Sequence, residues 1–539
     1  MVSNMRIRVW IGLLLVALLM GPLVAEVAYS EGAETVSVII GIKPSHDYLK
    51  AKNILKSYGA LISDLPEIRA VLLKLPRPAI EHARRLPFVS YVEEDTVVEV
   101  LGVSGRTIAS AVKIISYTEV VKISVGEAGA VGYTLQNSEK TTVGVYVRLL
   151  NHSGKIVAEK YHELPRRSKV SDSLSFLAPT TPNNYTWRLE VVSASSTTLY
   201  DSKLVTVIVV GSETPSPDPS QQSPGTSLTY TDTLTWNVRY VKAPNVWHTY
   251  NTSLGIHALG YGVKVAVLDT GIDYTHPELQ KVVTWCARYL SSGVDTYEGY
   301  NLSYCYDGHG HGTFVTGIIA AQLNNASIAG VAPFVEVYAV KVVKDDGYGT
   351  VYDLAKGIIE AVKGPDNVPG TSDDADVISM SISTSVDSQT LYNAITYAVG
   401  YGAVLVAAAG NKGATTPSYP AAYPEVIAVG AIDANYNVPS WSNRNPDIVA
   451  PGVSTVSTTR GGGIGTGSGT SYACPHVSGV VALIQALRMA NGLPKLDAYK
   501  MEQLLKDTAV DLGNTGYDEL YGYGLVNAYN AATKALSIN

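Results

Sequence analysis

Residues 227–539 of this 539-residue chain are predicted to form an α/β domain with a mainly parallel sheet and helices on both faces. Three observations lead there. Val263–Leu268, Val377–Met380 and Val404–Ala408 are continuous apolar runs, the pattern of strands covered on both sides, and helical stretches separate them. Before them, residues 103–211 alternate strictly between apolar and polar, which indicates a half-buried antiparallel architecture instead. Between the two patterns, Pro215, Pro217, Pro219 and Pro224 stand among Ser and Gln, marking a linker over 212–226. At roughly 150 residues per domain, the length agrees with three or four domains.

The elements follow in chain order. Arg6 and Arg8 precede the apolar run Val9–Met20 and then Gly21-Pro22, the pattern of a cleaved secretory signal, taken as 1–28. A membrane anchor is the competing reading, but twelve helical residues span roughly 18 Å, short of a core of about 30 Å. The protein is therefore expected to be exported, with no anchor once the signal is removed. Residues 35–101 read strand, helix, strand, helix, strand, a compact α+β unit of the split βαβ (ferredoxin-like) type. Its first helix is expected to turn Leu49, Ile54, Leu55 and Tyr58 inward. Across 103–211, Val143, Val145, Val147 and Leu149 share one face, as do Trp187, Leu189 and Val191, and then Val205, Val207 and Val209. Short alternating strands separated by turns predict a β-sandwich, broadly immunoglobulin-like, with no cluster that suggests chemistry.

Composition excludes several functions. Lys+Arg 40 against Asp+Glu 47 leaves a net charge of -7, which argues against a nucleic-acid partner. Three cysteines exclude a disulfide-dense scaffold, and an odd number cannot all pair. In an oxidising compartment Cys286 and Cys305 are a candidate disulfide, worth about 3 kcal/mol by loop entropy; two separate buried thiols are the alternative.

Chemistry concentrates in four fragments of the last domain. Strand Val263–Leu268 ends at Asp269-Thr270-Gly271, and the carboxyl ends of parallel strands are where open α/β sheets place their sites. Gly308-His309-Gly310-His311-Gly312-Thr313 leads into an apolar helix from Phe314, and flanking glycines let a histidine stand clear of the backbone. Asn411 follows strand Val404–Ala408, where its amide can donate to a developing oxyanion. Ser471, in Gly469-Thr470-Ser471-Tyr472-Ala473-Cys474-Pro475-His476-Val477, sits at a predicted helix start, with Pro475 tolerated in the first turn. Cys474 and His476 are expected to be packing residues.

Together these fragments resemble the subtilisin family of serine peptidases, in that family's order Asp, His, Asn, Ser, with gaps of 42, 100 and 60 residues. Gly330-Val331-Ala332-Pro333, Ala450-Pro451-Gly452 and Tyr521-Gly522-Tyr523-Gly524 extend the likeness, which covers about 235–535. The resemblance implies a subtilisin-like fold and a serine endopeptidase acting on proteins or peptides. In it Ser471 is the nucleophile, His311 the proton carrier, Asp269 its orienter and Asn411 the oxyanion donor. It implies that Gly347-Tyr348-Gly349 and Ser381-Ile382-Ser383, with Gly410, hold an extended substrate as an added strand. Ser383 departs from the glycine usual there, and Phe314 from a histidine; the second change should make the surroundings of His311 more apolar.

The loop Gln322–Ile328 resembles the family's tight calcium loop, implying ligands from Glu278, Gln322, Asn324, Ala326 and Ile328. A second acidic loop carries Asp366, Asp373, Asp374 and Asp376, with ordinary solvated turns as the alternative for both. No organic cofactor is expected. The 35–101 unit is similar to the family's inhibitory propeptide, which makes it an intramolecular inhibitor of a self-processing zymogen. A sandwich between propeptide and peptidase departs from the family's usual order. Activation cleavage near 101–103 would keep the sandwich; cleavage in 212–232 would discard it. The rival function is a binding protein that uses the sandwich and carries an inert peptidase scaffold.

Overall fold

The structure, a computed structural model, describes residues 34–101, the strands and some of the turns of 112–210, and 228–538 apart from 229. The predicted signal and linker lie outside the described residues. In the C-terminal domain β14 (Lys264–Asp269), β15 (Val283–Leu290), β16 (Asp295–Gly299), β17 (Glu336–Lys341), β19 (Val377–Met380), β21 (Val404–Ala408), β22 (Val426–Ile432) and β23 (Ile448–Pro451) form one sheet, numbered from the first strand of the chain. Its order is β16-β15-β17-β14-β19-β21-β22-β23. Every pairing is parallel except that of the edge strand β16. The fold is thus subtilisin-like, a mainly parallel sheet with helices on both faces.

Alternation along the strands divides the core in two. Val265, Val267, Val404, Val406 and Ala408 pack on one face with the helix Thr470–Ala490. Ala266, Leu268, Leu405 and Ala407 pack on the other, with the helices Val351–Ala361 and Gln389–Gly400. Burial on both sides is why these strands lack polar alternation. Thr470–Ala490 is long and apolar enough to cross a membrane by length and composition, but it is 89% buried in this core.

The N-terminal unit has one strand more than the sequence predicts. Strand β1 (Thr35–Ile42) is followed by a helix, β2 (Ala60–Leu65), β3 (Ala70–Pro76), a second helix and β4 (Val89–Glu94), giving a four-stranded antiparallel sheet of order β2-β3-β1-β4. In the first helix, Tyr48–Leu55, Ala51 and Leu55 are buried, with Tyr58 just beyond it. Leu49 and Ile54 are exposed, contrary to expectation: the inward stripe is 51, 55 and 58, and the other two fall outside it. One sheet face carries its own helices, through Val38, Ile40 and Leu73. The opposite face, with Ile39, Leu65 and Leu72, joins the second core of the C-terminal domain.

Charge completes the docking. The Glu93 carboxylate accepts the N–H groups of Gln389 (3.0 Å) and Thr390 (3.0 Å) and the Ser388 hydroxyl (2.8 Å). Asp95 accepts the N–H of Tyr352 (2.9 Å) and the Ser292 hydroxyl (2.7 Å). Both carboxylates therefore cap helix N-termini, where unpaired N–H groups and the helix dipole favour an anion. After β4 the chain forms one further strand, β5 (Val97–Val100), treated with the site below.

The middle region packs two sheets face to face, a five-stranded one and a three-stranded one. Val145, Val147, Leu149, Trp187, Leu189, Val191, Val205 and Val207 fill the space between them, at 3% exposure or less. Cys286 of β15 is joined to Cys305 by a disulfide. Cys474 is free and buried.

Burial, with the Asp95 charge adding to it, pushes the Asp353 carboxyl up to about 6, and burial raises Asp95 as well.

Candidate active site

The sheet brings the four predicted fragments to one edge. Asp269 ends β14, next to the place where strand order changes direction from β17 to β19. It is fully buried, and its two carboxylate oxygens accept a hydrogen bond from His311 Nδ1, at 2.8 and 2.9 Å. That contact puts the proton on Nδ1 and leaves Nε2 as the acceptor. Nε2 is buried and has no hydrogen-bond partner among the described residues.

His311 is the first residue of its helix, His311–Ala320, which begins three residues earlier than predicted. The reason is Asp307, a residue the sequence reading missed. Its carboxylate accepts the N–H groups of His309 (3.0 Å), Gly310 (2.7 Å) and Thr313 (2.9 Å), and the hydroxyls of Thr313 (2.6 Å) and Thr270 (2.9 Å). The Thr270 N–H donates to Asp269 (2.7 Å) and its hydroxyl oxygen accepts the Gly312 N–H (2.9 Å), so one carboxylate ties both loops together. An Asp before Gly resembles any turn former, and nothing local distinguishes this one.

Ser471 is the second residue of the helix Thr470–Ala490. The early start places Pro475 beyond the first turn, contrary to expectation. Proline lacks the N–H that would bond the carbonyl four residues back, which is that of Ser471. The Ser381 hydroxyl takes its place, donating to Ser471 O at 2.7 Å. Asn411 is oriented by its own carbonyl oxygen, which accepts the N–H and hydroxyl of Thr470, both at 2.9 Å. That leaves the Asn411 amide N–H group pointing at the space beside Ser471. Gly410 donates its N–H to the Thr470 hydroxyl at 3.0 Å, in a left-handed conformation (φ 115).

The space is filled by the N-terminal unit. Strand β5 lies between β18 (Tyr348–Thr350) and β20 (Ile382–Ser383), antiparallel to both. Glu99 stands opposite Tyr348 and Ser383, and Val98 opposite Gly349. The N–H of Val100 donates to Gly347 O (3.1 Å) and that of Leu101 to Ser381 O (3.2 Å). The Leu101 carbonyl oxygen then accepts from Ser471 Oγ and from Asn411 Nδ2, each at 2.5 Å. A Cβ on Gly469 would sit 2.7 Å from that oxygen, so any side chain there would displace it. Predicted flanking residues 347–349 and 381–383 thus do hold an extended segment, and Ser383 fits with its side chain buried.

A cavity of 620 Å³ opens alongside, lined by Val100, His309, His311, Phe314, Arg460 and Tyr472 among others. Phe314 lies against Tyr472 (4.5 Å between rings), and Tyr472 against His311 (5.5 Å). This is the apolar wall expected of Phe314, with Tyr472 an unforeseen part of it. His476 is buried between Tyr472 O (2.8 Å) and Asn237 (2.9 Å), and burial pushes its pKa down to about 3, so it is neutral. Burial pushes the Cys474 thiol up to about 11, which makes it inert.

The loop at 322–328 folds over a carboxylate that the sequence reading passed over. Asp232 accepts the N–H groups of Asn325 (2.6 Å), Ala326 (3.1 Å) and Ser327 (3.3 Å). Glu278 faces it, bonded to the Asn324 side chain and the Ile328 backbone, and one of its oxygens is buried without a partner. Burial, with the Asp232 charge adding to it, pushes Glu278 up to about 7. Two buried like charges and an orphaned oxygen suit a divalent cation. Gln322 donates its backbone N–H to the Glu278 carbonyl oxygen (3.1 Å). In the second acidic loop the carboxylates are taken up locally. Asp373 accepts the Asp366 N–H (2.9 Å), Asp374 the Gly370 N–H (2.6 Å), and Asp376 the Lys264 N–H (2.9 Å) besides pairing with Lys495. Among the described residues no group of three or more His, Cys, Asp or Glu is arranged to hold a metal.

Removing Asp307 should orphan five donors at once, three of them buried. Asp307→Ala is expected to lower stability by about 3–5 kcal/mol in denaturant titration, well beyond an average substitution.

Comparison with known proteins agrees with this geometry. Residues 260–524 match the family model described as Subtilase family. Subtilisin E of Bacillus subtilis (strain 168) is 38% identical over 315 residues, covering 55% of this chain and 76% of that protein. M-protease of Shouchella clausii (strain KSM-K16) is 40% identical over 308 residues, covering 57% and 71%. Subtilisin BL of Lederbergia lenta is 40% identical over 301 residues, covering 56% and 98%. With the buried Asp269–His311 pair, these matches identify the chain as a member of the subtilase family, a serine endopeptidase acting on proteins.

Proposed function

We propose that the chain is the exported precursor of this peptidase, held inactive by its own residues 35–101, with Asp269, His311 and Ser471 as triad and Asn411 as oxyanion donor. The observation that carries the reading is the Leu101 carbonyl oxygen, 2.5 Å from both Ser471 Oγ and Asn411 Nδ2. A substrate carbonyl would occupy the same place. Ser471 attacks the carbonyl carbon as His311 Nε2 takes its proton; Asp269 holds the imidazole by Nδ1 and stabilises its cationic form. The oxygen, becoming an anion, is met by Asn411 and by the helix N-terminus. His311 then gives the proton to the departing amine, and water hydrolyses the ester. Export rests on the signal-like segment 1–28 and agrees with the disulfide.

Inhibition follows from occupancy. Strand β5 fills the groove between β18 and β20, while Glu93 and Asp95 fix its base on two helices. Calcium, when bound, would screen Glu278 and Asp232, with Asn324 and the 322–328 backbone as further donors; its contribution is to the stability of the loop.

Asn411→Ala should lower kcat on a peptide substrate by about 10²–10³ with little change in KM, because the donor acts mainly on the transition state. An unchanged kcat would remove Asn411 from the mechanism. Chelation should lower the melting temperature by several degrees. Glu278→Gln should abolish most of that difference between chelated and calcium-supplied protein.

A further inference from the structure

Strand β5 is hydrogen-bonded on both edges up to Leu101, whose side chain is 4% exposed and packs into the first core of the peptidase domain. Val98, three residues before it, is fully buried in the second core. Two buried side chains and two flanking strands set the register of this segment, since a shift of one residue would turn Val98 and Leu101 out. In that register Leu101 supplies the carbonyl held by Ser471 and Asn411, and the next residue in the sequence is Gly102.

The described end of the alternative cleavage region, from Leu228 onward, is engaged elsewhere. Thr231 N–H donates to Asn325 Oδ1 (2.6 Å), Asp232 accepts from residues 325–327, and Thr233 N–H donates to Ser327 O (2.8 Å). Leu228 is buried in the first core. In the same structure, then, Leu101 is in the active site and 231–233 is on the 325–327 loop.

We propose that the bond the chain cleaves in itself is Leu101–Gly102, so that the first cut leaves the β-sandwich covalently joined to the peptidase domain through 211–227. The inference rests on the reading of Ser471 as nucleophile. Ser471 Oγ bonds to the Leu101 carbonyl carbon, and the C–N bond to Gly102 breaks. The Ser471 proton passes through His311 to the Gly102 nitrogen, which becomes the new amino terminus. Water then adds to the ester, restoring the Ser471 hydroxyl and leaving a Leu101 carboxylate. The chain beginning at Gly102 carries the sandwich, and the released unit keeps its contacts through β5, Glu93 and Asp95.

The test follows the purified full chain by intact mass and N-terminal sequencing, during the phase whose rate does not depend on protein concentration. The expected product begins at Gly102 and has the mass of 102–539, while Ser471→Ala stays at precursor length. A first new N-terminus within 212–232 would overturn the proposal. Labelling of Ser471 by a serine-reactive phosphonofluoridate separates the two levels of failure. A labelled enzyme cut first at another bond loses this inference and keeps the peptidase reading; a chain that is neither labelled nor shortened loses both. Leu101→Asp places a charge in an apolar site and should slow the appearance of Gly102 about tenfold or more. An unchanged rate for a variant with the wild-type melting temperature would count against Leu101 as the recognised residue.

Discussion

A parallel sheet must be covered on both faces, because its crossover helices lie there and its backbone gains nothing from water. Most of this molecule follows from that constraint. Strands β14, β19 and β21 alternate side chains into two separate apolar layers, and both layers exclude solvent. The helix Thr470–Ala490 can be apolar over 21 residues because it lies inside one of them. Parallel strands also place all their carboxyl ends along one edge. Asp269, the 381–383 segment and Asn411 reach that edge from β14, β19 and β21, three neighbouring strands, and the start of the buried helix brings Ser471 to meet them.

Precision at the edge comes from polar groups bonded to the backbone. Asp307 holds the loop of His311 against that of Asp269. Ser381 replaces the hydrogen bond that Pro475 removes. Thr470 aims Asn411. Each contact joins segments far apart in sequence, and each satisfies a buried group that would otherwise cost about 1–3 kcal/mol. The site is therefore held rigid by the same bonds that make its burial tolerable.

The N-terminal unit uses what the peptidase domain leaves unsatisfied. Two short strands, β18 and β20, flank a gap that only a third strand can bond, and β5 enters it. Two helices present unpaired N–H groups that only an anion can meet, and Glu93 and Asp95 supply carboxylates. A face of its own sheet, with Ile39 and Leu72, becomes part of the larger core. A segment held this way is bonded as an added strand, with a second, charged anchor outside the groove.

The parallel sheet was legible because continuous apolar runs such as Val404–Ala408 and Val263–Leu268 have no other economical fold. The β-sandwich was legible because Val145, Val147 and Leu149 alternate strictly. Ser471, His311, Asp269 and Asn411 could be named from their fragments and order, and the structure brings them to one edge. The roles of Asp307, Asp232 and Tyr472 were not legible, since an aspartate near a glycine or threonine and a tyrosine near a serine have many local uses. Nor was Val97–Val100 read as a strand of its own. Residue types and periodicity, which are local, determined the layers, their order and the chemistry available. Contacts between residues up to 370 positions apart, as between Leu101 and Ser471, are set by how the layers pack, and only the tertiary structure decided which carbonyl stands at Ser471.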